Sequence, residues 1–101
     1  MNRLYSIENL EEIYDVKLGN IDIYVTLNKS KKRYTATFFT LKNIKQILEG
    51  YKETGECRNG MYFWASDMII TKDLSLKVIN ETITDLIETG EFELVFLEIK
   101  D

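Results

Sequence analysis

The sequence contains no histidine and only one cysteine, Cys57. Histidine is the most common general base and zinc ligand, so its absence excludes Ser-His-Asp triads, Cys-His pairs and H-E-x-x-H zinc sites within this chain. A single thiol cannot build an internal disulfide, a CxxC redox pair or an iron–sulfur cluster, and it agrees with a reducing compartment. Little catalytic chemistry remains open to this sequence, and we predict no cofactor.

Long apolar runs are also missing. The longest, at 61–65 and 94–97, fall far below the roughly 20 residues that a membrane-spanning helix needs. The first residues turn acidic at once and lack the basic-then-apolar order of a secretory signal. We therefore expect a cytoplasmic protein with no membrane span. With 101 residues, of which 45% are hydrophobic and 12% aromatic, the chain can build one core, so a single domain over 1–101 is predicted.

Charge is distributed unevenly along the chain, whose formal net charge is −4. Residues 29–60 contain 8 basic and 3 acidic side chains, whereas residues 61–101 contain 3 basic and 9 acidic ones. Such blocks either cancel in space or present separate faces that steer different partners. Both alternatives remain open from the sequence.

The first half of the chain is predicted to be mostly β. A short amphipathic helix would begin after Ser6, a suitable N-cap. Apolar and polar residues then alternate in the manner of strands with one buried face. Three stretches follow this pattern: 14–18, 21–27 and 32–39. Turns at Gly19-Asn20 and at 28–31 would connect them into a meander.

The second half alternates helices with strands. Helices are predicted over 41–54 and from Ser75 to Gly90, each with a hydroxyl N-cap and a glycine at its end. The most apolar stretch, 61–71, predicts a central strand buried on both faces, and 92–99 predicts the last strand. The expected fold is α+β: a single, mostly antiparallel sheet of about five strands in the order β-β-β-α-β-α-β, with two main helices packed on it.

Carboxylates offer one catalytic alternative. Asp67 on the expected central strand, together with the E-x-K triplet Glu98-Ile99-Lys100, has the residue types of magnesium-dependent nucleases. The competing interpretation is structural, because a carboxylate on a central strand is ordinarily bonded to backbone N–H groups or paired with a basic side chain. The second interpretation is favoured.

Two further groups have a structural and a functional interpretation each. The basic turn Lys29, Lys31, Lys32 and Arg33 would suit a phosphate backbone, although a solvated turn is favoured because the rest of the chain is acidic. The aromatic residues Tyr62, Phe63 and Trp64 would suit base stacking, but their place in the most apolar strand favours core packing.

Acidic residues of the last helix and its exit form the principal candidate binding surface. We expect them on the side of the helix that faces solvent: Glu81, Asp85, Glu88, Glu91 and Glu93. They would form either a plain solvated face or a negative strip for a basic, nucleic-acid-handling protein.

Residues 40–99 resemble small proteins of Gram-positive bacteria and their mobile elements. The resemblance lies in the segment 55–70 (GECRNGMYFWASDMII), in Asp73-Leu74-Ser75 and in 85–92 (DLIETGEF). Some small acidic proteins of that setting are anti-CRISPR inhibitors of the type II effector nuclease, and this chain is similar to them in size and charge. The resemblance implies a phage or mobile-element protein that binds another protein, and it assigns no role to a numbered residue.

Three hypotheses follow, in order of preference. The first is a non-enzymatic binding protein, an inhibitor that meets a basic nucleic-acid-binding effector through the acidic surface. The second is a small metal-dependent nuclease that uses Asp67 and Glu98. The third is direct nucleic-acid binding through residues 29–33.

Overall fold

The chain folds as an α+β protein, which confirms the predicted fold class. The structure is a computed structural model that describes residues 4–8 and 19–100. Along the chain its elements are β1 (Tyr5–Glu8), β2 (Asn20–Leu27), β3 (Arg33–Thr40), α1 (Leu41–Thr54), α2 (Glu56–Gly60), β4 (Met68–Thr71), α3 (Leu76–Thr89), α4 (Phe92–Val95) and β5 (Leu97–Ile99). Within the described ranges, no helix is long and apolar enough to cross a membrane.

The sheet is built around β3. One side of β3 pairs with β2 in antiparallel register from Asn20↔Phe39 to Thr26↔Arg33, and β1 pairs with the far side of β2. Two short strands share the other side of β3. There β5 lies antiparallel to the first three residues of β3, and β4 lies parallel to its last four. Both short strands therefore occupy a sheet edge.

The first strand corrects the start of the expected N-terminal helix, whose further residues, 9–14, lie outside the described residues. Tyr5 and Ile7 pack against the core while Ser6 is exposed, so buried and exposed side chains alternate as they do in a strand. The segment pairs with β2. A hydrophobic face shared with a neighbouring strand outweighs the capping tendency of one serine. The predicted strand over 14–18 lies outside the described residues. Asn20 is the first residue of β2, so no tight turn is centred there.

The β2–β3 hairpin confirms the predicted turn at 28–31. The N–H of Lys31 donates to the carbonyl of Leu27 at 2.8 Å, and the N–H of Leu27 donates to the carbonyl of Lys32 at 3.0 Å. Lys31 has a φ of 64°, which lets the chain reverse. The hairpin tip is consequently closed by backbone bonds and leaves the lysine side chains in solvent.

The core lies between one face of the sheet and helices α3 and α4. Its sheet side consists of Ile23, Val25, Tyr34, Ala36 and Phe38, and its helix side of Ile79, Ile83, Phe92 and Phe96, with Leu74 from the preceding loop. The rings of Phe92 and Phe96 stack with centroids 4.3 Å apart. Full burial of Ile79 and of Ile83 in α3 contributes about 1.5–3 kcal/mol each.

Helix α3 spans the sheet from β1 to β4. At the β1 side, the Tyr5 hydroxyl donates to Oδ1 of Asn80 at 2.7 Å and lies 3.2 Å from Oγ1 of Thr84. The predicted N-cap Ser75 accepts from the N–H of Val78, and Gly90 ends the helix with a φ of 81°. These contacts hold the helix so that its opposite face points to solvent.

Helix α1 is capped as expected, by Thr40 at its start and by Gly55 with a φ of 88° at its end. None of its side chains is fully buried, and its apolar stripe of Ile44, Ile47, Leu48 and Tyr51 is half-buried. The chain then makes the single turn α2, in which Cys57, Arg58 and Asn59 all have left-handed backbone angles. This turn folds back against α1.

The segment 61–71 corrects the predicted central strand. Only Met68–Thr71 form a strand, and Trp64 is 70% exposed, Met61 72% and Tyr62 47%. Of the three aromatic residues at 62–64, Phe63 packs as expected, edge-on to Phe39 with ring centroids 5.3 Å apart. The prediction failed because positive φ values at Gly60 and Asp67 interrupt the extended backbone at both ends of the apolar run.

The predicted last strand over 92–99 divides into α4 and the three-residue β5. Phe92 and Phe96 are both buried, and their rings stack with centroids 4.3 Å apart. Four residues span about 6 Å along a helix but about 13 Å along a strand, so only a helical turn brings the two rings this close. Stacking of the two rings therefore favours a helical turn over 92–95, and the backbone becomes extended at Phe96.

Close contact between α2 and α1 yields a stability prediction at Gly60. A Cβ there would lie 2.3 Å from the backbone oxygen of Leu48, at a φ of 83°. We expect Gly60→Ala to lower the free energy of unfolding by about 2–4 kcal/mol, through overpacking and left-handed strain. Urea denaturation measures the change.

Gly50 supplies the matched control. It lies inside α1, and an added Cβ would meet nothing within 4 Å. Gly50→Ala should raise the free energy of unfolding by about 0.5–1 kcal/mol, because alanine loses less backbone entropy in a helix. Equal effects of the two substitutions would contradict the α1–α2 packing.

Candidate functional site

The acidic surface comprises five carboxylates on α3 and the chain that leaves it. All five are exposed to solvent: Glu81, Asp85, Glu88, Glu91 and Glu93. Spacings of four and three residues put the first three on one side of α3, opposite the buried Ile79 and Ile83. The fold thus fixes a row of negative charges on the helix face that points away from the sheet.

None of these carboxylates forms an ion pair with another described residue. The Thr89 hydroxyl donates to Oε1 of Glu91 at 3.0 Å. Within the described residues, direct ion pairs with the basic block therefore do not neutralise these five carboxylates.

The pKa of Tyr34 is affected by the negative charges at one end of the acidic surface. Burial raises the pKa of its phenol, and the carboxylates of Glu93 and Glu98 raise that pKa further. The ring is buried against Phe92, with centroids 5.1 Å apart. Tyr34 therefore stays protonated at physiological pH and acts as a core residue.

The basic turn has fewer positively charged groups available to phosphate than the sequence predicted. Lys29, Lys31 and Lys32 are exposed, but the Arg33 guanidinium contacts both carboxylate oxygens of Glu8, at 3.0 and 3.2 Å. Glu8 belongs to β1, which the sequence had assigned to a helix. Arg33 is therefore engaged across the sheet, and the expected set of four phosphate-binding groups is reduced to three.

The Glu8–Arg33 pair links stability to pH. The hydrogen bond and charge of Arg33 hold the pKa of the Glu8 carboxyl below its ordinary value of 4.5. Because the folded-state pKa is depressed, the stabilisation is complete above 4.5 and is lost as the pH falls through the lowered value. The side chains of Arg33 and Glu8 are 42% and 35% exposed, so screening limits the contribution to less than about 1 kcal/mol.

We expect Glu8→Gln to destabilise the protein slightly at neutral pH and to have no effect at a pH below the lowered pKa of Glu8, where the wild-type carboxyl is also uncharged. Urea denaturation at both pH values measures the difference. Glu49→Gln, which removes an exposed charge from α1, is the control. A destabilisation by Glu8→Gln that persists at acid pH would show that packing, not charge, is the cause.

The structure does not bring Asp67 and Glu98 into one site. The carbonyl of Asp67 accepts from the N–H of Thr37, whereas Glu98 lies opposite Tyr34. These two β3 positions are three residues apart, about 10 Å along a strand. In the described ranges, no three Asp, Glu, Cys or His side chains converge in a way that could hold a metal ion.

Asp67 also corrects the expected place on a central strand. It is half-buried in the loop before β4, has a φ of 47°, and accepts from the Ser66 hydroxyl at 2.8 Å. The hydrogen-bond partner of the Asp67 carboxylate is therefore Ser66 and not a basic side chain. Lys100, the last member of the E-x-K triplet, is exposed.

A groove between β4 and α3 was missed by sequence reasoning. It is a shallow, open groove of about 540 Å³, and its lining consists of Ile70, Thr71, Lys72, Val78, Glu81, Thr82, Asp85 and Leu86. Two members of the acidic surface thus form its rim. The unusual feature of the groove is Ile70, an apolar residue that is 47% exposed. Its exposure could not be predicted, because in the sequence it is one member of a run of apolar residues.

Comparison of the chain with known proteins adds no relative. Neither a protein-family model, nor a curated protein, nor a solved structure matches it.

Proposed function

We propose that this protein is a non-enzymatic binding protein that attaches to a basic surface of another protein. The observation that carries the proposal is the acidic surface: five exposed carboxylates on a helix and its exit, without an ion pair to another described residue. Unpaired charges of one sign attract an oppositely charged partner over several ångströms and accelerate encounter.

A protein partner is favoured over a nucleic acid. The acidic surface repels phosphate, and the basic turn retains three exposed lysines, a small footprint for duplex binding. Arg33, the residue best suited to a bidentate phosphate contact, is bonded to Glu8. Direct nucleic-acid binding is therefore not the function we propose.

The negative charge of the acidic surface indicates the class of protein that it would bind. Proteins that process nucleic acids carry strongly basic grooves for phosphate, and a row of carboxylates can occupy such a groove in its place. Binding there would inhibit the partner by competition. The size and negative charge that this chain shares with anti-CRISPR inhibitors agree with a phage or mobile-element protein that acts on a type II effector nuclease.

Charge reversal tests the proposal. The triple variant Glu88→Lys, Glu91→Lys, Glu93→Lys should weaken binding to a purified, guide-loaded type II effector nuclease by about tenfold or more, because attraction becomes repulsion. Wild-type binding should weaken as salt is added. Affinity is measured by biolayer interferometry, and inhibition by the rate of DNA cleavage.

A matched control separates local charge from total charge. Glu49, Glu53 and Glu56 are exposed and belong to the α1–α2 region, so their triple reversal makes the same change in net charge at another place. The control variant should retain binding. Equal affinities of the two triple variants would contradict the assignment of the acidic surface, and no binding by wild type would reject this partner.

A further inference from the structure

The outer edge of β4 has backbone groups that no described strand pairs with. The N–H of Thr37 donates to the carbonyl of Asp67, and Thr37 is registered with Met68. In a parallel ladder, alternate residues of a strand direct both N–H and C=O to the same neighbour. Ile69 and Thr71 therefore bond toward β3, and the N–H and C=O of Met68 and Ile70 point away from it.

The groove beside this edge has an apolar floor and an acidic rim. Val78, Thr82 and Leu86 are half-buried on the flank of α3 that faces β4, and Glu81 and Asp85 are exposed above them. Lys72 is the basic residue of the lining, so the rim carries one net negative charge. An open strand edge beside a helix flank is the arrangement in which extended peptides add as an extra strand.

We infer that β4 accepts an extended, basic segment of the partner protein as an additional strand of the sheet. This inference rests on the proposed function and specifies how the partner is held. Backbone groups of the segment would bond to Met68 and Ile70. Every second side chain of the added strand would face α3, where Lys or Arg reaches Glu81 and Asp85.

Charge also selects the occupant. A second copy of this chain paired through its own β4 would bring two acidic surfaces together, and like charges placed close to each other are destabilising. A basic segment instead matches the rim. Because β4 has four residues, the segment is short, about 13 Å of extended chain.

An end-capped peptide of alternating lysine and valine is a direct probe. We expect amide NMR shifts of the wild-type protein to change along 68–71 and 78–86 when this peptide is added. A peptide of the same composition with lysines and valines in separate blocks should bind more weakly. No shift in these segments at millimolar peptide would overturn the inference.

Ile70 permits a sharp backbone test. Ile70→Pro removes the outward N–H and leaves the bonds to β3 intact, since proline is tolerated at an edge position whose N–H faces solvent. Ile70→Ala removes the same side chain but keeps the N–H. The proline variant should bind the peptide roughly tenfold more weakly than the alanine variant, because it leaves a peptide carbonyl unpaired.

A second pair of variants tests the inference if Ile70→Pro does not fold. Glu81→Gln with Asp85→Asn should weaken peptide binding several-fold, whereas Glu49→Gln with Glu53→Gln should not. Equal peptide affinities within either matched pair of folded variants would overturn strand addition. Dimers of the free wild-type protein in sedimentation, lost in Ile70→Pro, would also overturn it, because a second copy would then occupy the edge.

The outcomes distinguish the two proposals. The Glu88, Glu91 and Glu93 reversals change none of the groove residues, so their effect on effector binding tests the acidic surface alone. If they weaken binding while Ile70→Pro and Ile70→Ala bind the effector equally, the proposed function stands and strand addition fails. If they have no effect, the proposed function fails.

Discussion

The described structure depends on the burial of one face of β3. Tyr34, Ala36 and Phe38 alternate along that strand and are almost completely removed from water. β2 pairs along one side of β3, while β4 and β5 share the other, and the buried face receives α3 and α4. Since a slip of one residue would turn these side chains to the other face of the sheet, their burial constrains the register of the strands that pair with β3.

That constraint also creates the candidate binding surface. Ile79 and Ile83 must meet the sheet, and a helix rotates 100° per residue, so Glu81, Asp85 and Glu88 are forced to the opposite side. Hydrophobic burial on one side of α3 thereby fixes charge on the other. The arrangement costs little, because exposed carboxylates on a helix keep their hydration.

Local patterns predicted the parts of the fold that local energies decide. The hydroxyl caps at Thr40 and Ser75, the terminal glycines 55 and 90 and the β2–β3 turn were all read correctly, since each depends on a few adjacent residues. The segment 61–71 was misread because an apolar run has the same pattern whether it is buried or exposed. The pair Phe92 and Phe96 was misread because residues 92–99 also fit a strand.

The sequence by itself determined the α+β class, the exposure of the acidic surface and the shortage of catalytic groups, because these follow from composition and from the period of a single element. Tertiary structure decided which residues meet across elements. It bonded Arg33 to Glu8 and separated Asp67 from Glu98. It also placed the open edge of β4 beside α3. Such contacts join positions far apart in the chain, and their energies depend on distances that no local pattern contains.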